Sequence, residues 1–450
     1  MVGIGGTGMN GIAEVLLNLG YKVSGTDISA NPATRRLRRL GAKISIGHKA
    51  ERVSGADVVV VSSAIRKDNV EVEEAKRLKI PIIPRAEMLA ELMRMKYGVA
   101  VAGSHGKTST TSMIGQMLES AGLDPTVIVG GRINILGAHG KLGAGDFIVA
   151  ETDESDRSFL LLSPYIAVLT NLDEEHLDQY GSLDEIKKAF VNFANKVPFY
   201  NPVVLCLDDS NLQSLMPYIE RRIITYGFSA QADMHAKNQK FSEFSSTSTL
   251  FWKGKRLGTL RLHVPGKHHI LNAMAAAVVG LDLEIPAQTI LQSLEEYKGT
   301  GRRFELKKRV DDIMVVEDYA HHPTEIIATL EAAKRGWVRR VVVVFQPHRY
   351  SRLSYLMKKF ATAFNQADVL IVTEIYAASE TPVENVTGER LFEEIENFGH
   401  KNAYFEPHLK KIPALVAKIA QPHDLIIILG AGDIYKIIPE MTRALKERRG

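Results

Sequence analysis

The chain carries one cysteine, Cys206, and two tryptophans in 450 residues. A single thiol cannot close an intramolecular disulfide. No apolar run approaches the ~20 residues of a membrane span. No charged, apolar and small-residue signal opens the chain, so the expected compartment is the reducing cytoplasm. Charge of either sign is also scarce in excess: 56 Lys and Arg against 52 Asp and Glu leave a formal +4. That gives no support to a nucleic-acid partner or a membrane surface. What remains is 45% hydrophobic and 24% charged, the composition of an ordinary globular protein long enough for about three domains.

The most informative stretch runs from Gly98 to Thr111, an apolar strand (Val99 to Ala102) entering the turn Gly103-Ser104-His105-Gly106-Lys107-Thr108-Ser109. The glycines let backbone N–H groups point inward, and the helical spacing of Thr108 to Glu119 places the turn at a helix N-terminus, where dipole and unpaired donors favour phosphate. Lys107 then reaches the β- and γ-phosphates of ATP and Thr108 ligates Mg²⁺. Only Ser104 and His105 separate the glycines, two residues fewer than the usual phosphate-loop pattern. Taken alone, the turn is also compatible with a solvated lysine on an ordinary strand-to-helix connection.

Residues 1–96 open with Gly3-Ile-Gly5-Gly6-Thr-Gly8-Met9, a G-x-G-x-x-G dinucleotide-type turn. Asp27 follows nineteen residues after Gly8, at the end of a strand from Lys22, where a ribose-binding acid belongs. Further α/β units follow, with strand Asp57 to Ser62 and helix Val70 to Leu78. Only Met1 and Val2 precede Gly3, whereas a first strand needs about five residues. That strand is therefore expected to lack most of its ladder, with the start of the protein lying upstream. The basic run Arg35, Arg36, Arg38 and Arg39 reads as a solvated helix face.

In residues 97–304, strand Asp146 to Glu151 ends in an acid run through Asp156, and strand Tyr165 to Thr170 ends at Asn171 to Asp178. Two neighbouring strand tips are thus expected to carry Glu151 and His176 towards the triphosphate and its metal. Asn272 opens a small-residue helix suited to an adenine edge, and Arg302 and Arg303 follow a glycine-loosened boundary where they can clamp phosphate. Residues 305–450 alternate apolar strands with helices as a second doubly wound unit. Its strand tips carry Asp318 to Glu325, Gln346 to Arg352 and Gly430 to Asp433.

Together these motifs, in this order, resemble the Mur ligases of peptidoglycan synthesis over nearly the whole chain, and the shortened phosphate loop is that family's form. The resemblance implies an α/β fold of three domains: a Rossmann-like UDP-binding domain (1–96), a central P-loop ATPase-type domain with a mostly parallel sheet (97–304), and a C-terminal Rossmann-like domain (305–450). It implies a ligase joining L-alanine to UDP-N-acetylmuramate at the cost of ATP, with Mg²⁺, acting on small molecules as a monomer or weak homodimer. By resemblance, Gly3, Gly5, Gly6, Gly8, Met9, Asp27 and Ser63 bind the sugar nucleotide. Gly103 to Ser109, Asn272, Arg303 and Asp318 bind ATP, and Thr108, Glu151 and His176 hold metal. Tyr319, His321, His348, Arg349 and Arg352 surround the muramoyl carboxylate and the alanine, with Lys107, His321, His348, Arg349 and Arg352 as the catalytic set. Departures from the family pattern are His269 for asparagine, and Ser379 and Asn385 for glycines, from which a differently shaped loop after Tyr376 is expected.

Overall fold

The computed structural model describes every residue except 63, 67, 134–137, 142, 156, 176 and 449–450, and only the backbone of 7, 130–133, 138–140, 177 and 178. Two compact units divide the chain. One comprises Met1–Asn238, Ser248–Arg261 and Ile270–Thr300, the other Gln239–Thr247, Leu262–His269 and Gly301–Gly450.

Within the first unit, residues 1–96 form alternating strands and helices, with parallel pairs Ser24–Asp27 with Lys43–Ile46 and Val59–Val61 with Ile82–Pro84. The expected short first strand is a single residue. Val2 bridges Thr26 on one side and Val61 on the other, donating to Val60 O at 2.8 Å and accepting from Ser62 N at 3.1 Å. One residue therefore joins the two strand pairs. Helix Pro32–Arg39 starts at an Asn31–Thr34 capping box with proline in the first turn. Its arginine face is less solvated than expected: Arg36 forks onto the buried Glu14 at 2.6 and 3.1 Å.

The central sheet has ten strands, with Tyr97–Ala102 between Phe147–Glu151 and Ile166–Leu169. All three run parallel. Val99 to Ala102 are wholly buried, as a continuous apolar run in a sheet covered on both faces should be. Helix Lys107–Ser120 is buried along most of its length, and a Cβ on its Gly115 would come within 2.7 Å of Val127. The helix thus lies hard against the sheet and fixes the loop before it. Because Tyr97–Ala102 stands between them, the tips carrying Glu151 and Asn171 are not neighbours of each other, as the sequence suggested. They flank the phosphate-loop strand, at the point where the strand order reverses.

The second unit holds a six-stranded sheet in the order Glu305–Val310, Ile313–Asp318, Leu425–Leu429, Val341–Phe345, Val369–Val372, Ala403–Phe405. The first pair is antiparallel and the rest are parallel. Helices Pro323–Gly336, Tyr350–Ala363 and Gly388–Asn397 contribute to one apolar core, and Ile412–Ile419 with Ile438–Glu447 to the other. This doubly wound arrangement puts Asp318, Gln346 and Gly430 at adjacent strand tips.

Candidate active site

In the first unit the phosphate loop is clamped from one side. Asn171 accepts the His105 N–H at 2.7 Å and donates to His105 O at 2.9 Å, and Thr170 Oγ1 donates to the same carbonyl at 2.7 Å. Ser104 Oγ accepts from Asp173 N at 2.8 Å. At Gly103 (φ +137°) a Cβ would collide with Thr170 Oγ1 and lie 2.9 Å from Asn171 O, so only glycine fits. Gly106 (φ +81°) brings its Cα near Asn272, whose Oδ1 a Cβ would meet at 2.7 Å. Gly106 is also the N-cap of the following helix and offers no capping side chain, which leaves that terminus suited to an anion.

Lys107 Nζ donates to Gly103 O at 2.6 Å, to Ser104 O at 3.2 Å and to Glu154 Oε1 at 2.7 Å. Burial alone would lower its pKa, but Glu154, Glu151 and Glu175 outweigh this and raise it, so the ammonium keeps its charge. Burial also pushes Glu154 up to about 7 against the pull of Lys107. Thr108 Oγ1 donates to Glu151 Oε2 at 2.9 Å, bringing together two of the three residues expected to hold metal. A hydroxyl and a carboxylate oxygen side by side are the hard donors Mg²⁺ takes. The third, His176, lies outside the described residues, as does Ser63. Ser109 is buried in the first turn of the helix.

At the other glycine turn, Asp27 Oδ2 accepts the Gly5 N–H at 2.8 Å. A Cβ on Gly5 would lie 2.6 to 2.8 Å from Asn31, Asp27 and Thr34. Gly3 takes φ +78°, and Gly6 caps helix Thr7–Asn18 without a side-chain hydrogen bond. Met9 is buried behind the turn. Asp27 thus fastens the turn with one of its oxygens.

In the second unit, Asp318 accepts Phe304 N at 2.9 Å and Ala320 N at 2.8 Å. Burial raises its pKa to about 6, against Arg303 and these two bonds. Arg303 pairs with Glu325 at 3.3 Å and lies over the Tyr319 ring. Arg302, which the sequence also offered as a phosphate clamp, is committed elsewhere. It sits within 5 Å of the Tyr319 and Tyr435 ring centres at 4.8 and 4.7 Å, and binds Glu317 at 2.5 Å. His269 is buried and beside His268, so it is held neutral, and its Nδ1 has no partner among the described residues.

His321 Nδ1 stands 2.9 Å from Tyr319 O and 3.2 Å from Glu325 Oε2. A carbonyl only accepts, so the proton sits on Nδ1 and the lone pair on Nε2. His348 stacks on Tyr376 at 5.6 Å and meets His321 edge-on at 5.7 Å. Arg352 Nη1 donates to His348 Nδ1 at 3.1 Å. Burial, then His321, Arg352 and Arg349, lower the His348 pKa to about 3. Arg349 holds φ +70° as the N-cap of helix Tyr350–Ala363, its N–H bonded to Tyr376 O at 2.9 Å; such strain in a non-glycine residue marks a position its surroundings enforce. In the loop after Tyr376, Ser379 and Asn385 both have positive φ, +71° and +60°. Both residues therefore hold a backbone conformation that glycine favours.

Three family models match the chain: Mur ligase family, catalytic domain, at residues 1–97; Mur ligase middle domain at 101–280; and Mur ligase, glutamate ligase domain, at 302–432. A curated UDP-N-acetylmuramate–L-alanine ligase from Syntrophotalea carbinolica is 54% identical over 447 residues, covering 99% of this chain and 98% of the relative. That of Geobacter sulfurreducens is 51% identical over 450 residues, covering 100% and 97%. Among solved structures, the UDP-N-acetylmuramate–alanine ligase of Thermotoga maritima superposes with a TM-score of 0.82 at 31% identity, covering 100% of this chain and 98% of that one. With the phosphate loop, its flanking acids and the strand-tip histidines and arginines standing in this order, the chain belongs to the Mur ligase family.

Proposed function

We propose that this chain joins L-alanine to the lactyl carboxylate of UDP-N-acetylmuramate, through an acyl phosphate and with release of ADP and phosphate, in cytoplasmic peptidoglycan precursor synthesis. The observation that carries the reading is full-length identity of 54% to a relative of that activity. The Lys107, Thr108 and Glu151 geometry supports it. Residues 1–96 bring the sugar nucleotide, 97–304 ATP and 305–450 the amino acid, the protein working as a monomer or weak homodimer.

A carboxylate cannot accept an amine directly, because its leaving group would be oxide. One of its oxygens attacks the γ-phosphorus of ATP, and ADP leaves. Lys107 exchanges Glu154 and the loop carbonyls for phosphate oxygens and spreads their charge, while the N–H groups after Gly106 bind the same anion. Thr108 and Glu151, with His176, are the residues that would hold Mg²⁺, which supplies charge neutralisation to the triphosphate. Asn272, Arg303 and Asp318 take the adenine, phosphate and ribose. Arg349 and Arg352 receive the alanine carboxylate beside Tyr319, since a guanidinium offers a two-pronged fork. The alanine nitrogen attacks the acyl carbon, the C–O bond to phosphate breaks, and the amine proton leaves. Of the histidines open to that last role, His321 fits better than His348. Its Nδ1 is anchored by Tyr319 O beside Glu325, as a base oriented through its other nitrogen should be. His348 instead accepts from Arg352 and positions it.

Phosphate release with UDP-N-acetylmuramate and ATP tests the reading. Free alanine is expected to drive it, whereas a tripeptide acceptor working in alanine's place would reassign the chain to a different ligase of the family.

A further inference from the structure

The third glycine of the first turn, Gly8, makes room for a side chain from another element. A Cβ there would lie 2.7 Å from Arg85 Nη1 and 3.0 Å from Arg85 Cδ and Cζ. Arg85 is the first residue of helix Arg85–Arg94 and also lines a cleft of about 270 Å³ together with Ser62, Ile65, Pro84 and Ser158. From this seat it reaches into the acid run beside the phosphate loop, donating to Asp153 Oδ2 at 2.8 Å. Ser155 takes the other Asp153 oxygen through its N–H at 3.1 Å and its hydroxyl at 2.5 Å. The next residue, Glu154, is the partner of Lys107 at 2.7 Å.

The charges therefore alternate from the glycine turn to the phosphate loop: Arg85, Asp153, Lys107, Glu154. Asp153 thus stands next in sequence to the carboxylate that pairs with Lys107, and Arg85 is the cation that holds it.

We infer that Arg85 is a positioning residue for nucleotide binding at the phosphate loop: by holding Asp153 away from Lys107, it leaves the incoming triphosphate one carboxylate to displace, Glu154, instead of two. This rests on the ATP reading of the loop and assigns a role in ATP binding to a residue of the first 96. Without Arg85, Asp153 is released to turn to Lys107, the partner of its neighbour Glu154, and the lysine is neutralised twice over before ATP arrives.

The test is titration of the full chain with a non-hydrolysable ATP analogue, with neither sugar nucleotide nor alanine present, so that a wrong acceptor assignment leaves the result intact. Arg85→Ala should weaken analogue binding about tenfold, and adding Asp153→Asn should restore it to within about twofold. Asp153→Asn alone should bind as tightly as the unmodified protein or more tightly. If Arg85→Ala fails to fold, Arg85→Gln, which keeps the stem of the side chain and removes the charge, should give the same loss and the same rescue. Undiminished analogue binding in Arg85→Ala, with only sugar-nucleotide affinity reduced, would overturn the inference. So would a double variant no better than the single one, or an Arg85→Ala variant whose Tm fell and recovered in step with its analogue affinity, since neutralising Asp153 would relieve a purely structural loss as well. Failure of the unmodified protein to bind the analogue would overturn both this inference and the phosphate-loop reading.

Discussion

Two glycine-flanked turns lead into helices in the first unit, and they are held in place by different means. The turn at Gly103 to Gly106 grows from a strand of six residues with parallel neighbours on both sides; Asn171 and Thr170 grip its backbone and Asp173 the Ser104 hydroxyl. The turn at Gly3 to Gly8 grows from the single bridging residue Val2, and its grip comes from Asp27 and Asn31. Both end in a glycine N-cap without a capping side chain. The local chemistry for binding an anion is thus the same, while the support beneath it differs. A phosphoryl group must be positioned to a fraction of an ångström for transfer, whereas a nucleotide held only for binding tolerates more play.

The comparison breaks most sharply at Lys107. Lys107→Ala should lower ADP formation by about a thousandfold or more, with UDP-N-acetylmuramate affinity nearly unchanged in an equilibrium titration. Retention of most of the turnover would remove Lys107 from the transfer. Next, Gly103→Ala drives a methyl into Thr170 and Asn171 and should cost about a hundredfold in kcat. Gly5→Ala, which crowds Asn31 and Asp27, should act on the sugar-nucleotide KM and leave kcat within about threefold. Equal kcat losses at the two turns would erase the distinction drawn here. Arg349→Ala or Arg352→Ala should raise the alanine KM about ten- to a hundredfold. An unchanged alanine dependence would take them out of that site.

The smallest expected effect concerns pH and the second unit. His348, lowered to about 3, and His268, lowered to about 4 by burial, remain neutral in the fold while an unfolded histidine protonates near its ordinary 6.5. The stability they contribute is complete above about pH 6.5 and is lost as pH falls towards 4, by at most about 1.4 kcal/mol per pH unit for each group. His348→Gln should flatten the fall in Tm over that window in scanning calorimetry. A slope identical to that of the unmodified protein would show that His348 titrates normally.

Most of this arrangement could be read from the residues, because it is local. A glycine turn between an apolar strand and a helix, or an acid just past a strand tip, is written in consecutive residues, and that is what singles out Lys107, Thr108 and Glu151 as candidates. What escaped was long-range. Nothing near Glu151 in the sequence says that Tyr97–Ala102 lies between its strand and the next, so the two tips looked adjacent. Glu154 was hidden within an acid run that reads as solvated, and only folding buries it on Lys107. Arg85, 68 residues from Asp153, carried no motif at all. Arg302 and Arg303 looked equivalent as neighbours, until two tyrosine rings and Glu317 took the first and left the second beside Asp318. The clue that was available for Arg85 is Gly8 itself, a helix glycine that makes room for a side chain.

The most direct test of the account follows the oxygen. With UDP-N-acetylmuramate carrying ¹⁸O in its lactyl carboxylate, one labelled oxygen should leave with the phosphate released during alanine-dependent turnover, because that oxygen attacked the γ-phosphorus. Phosphate free of the label would mean that the carboxylate was never phosphorylated, and would contradict the role given to the Lys107 loop.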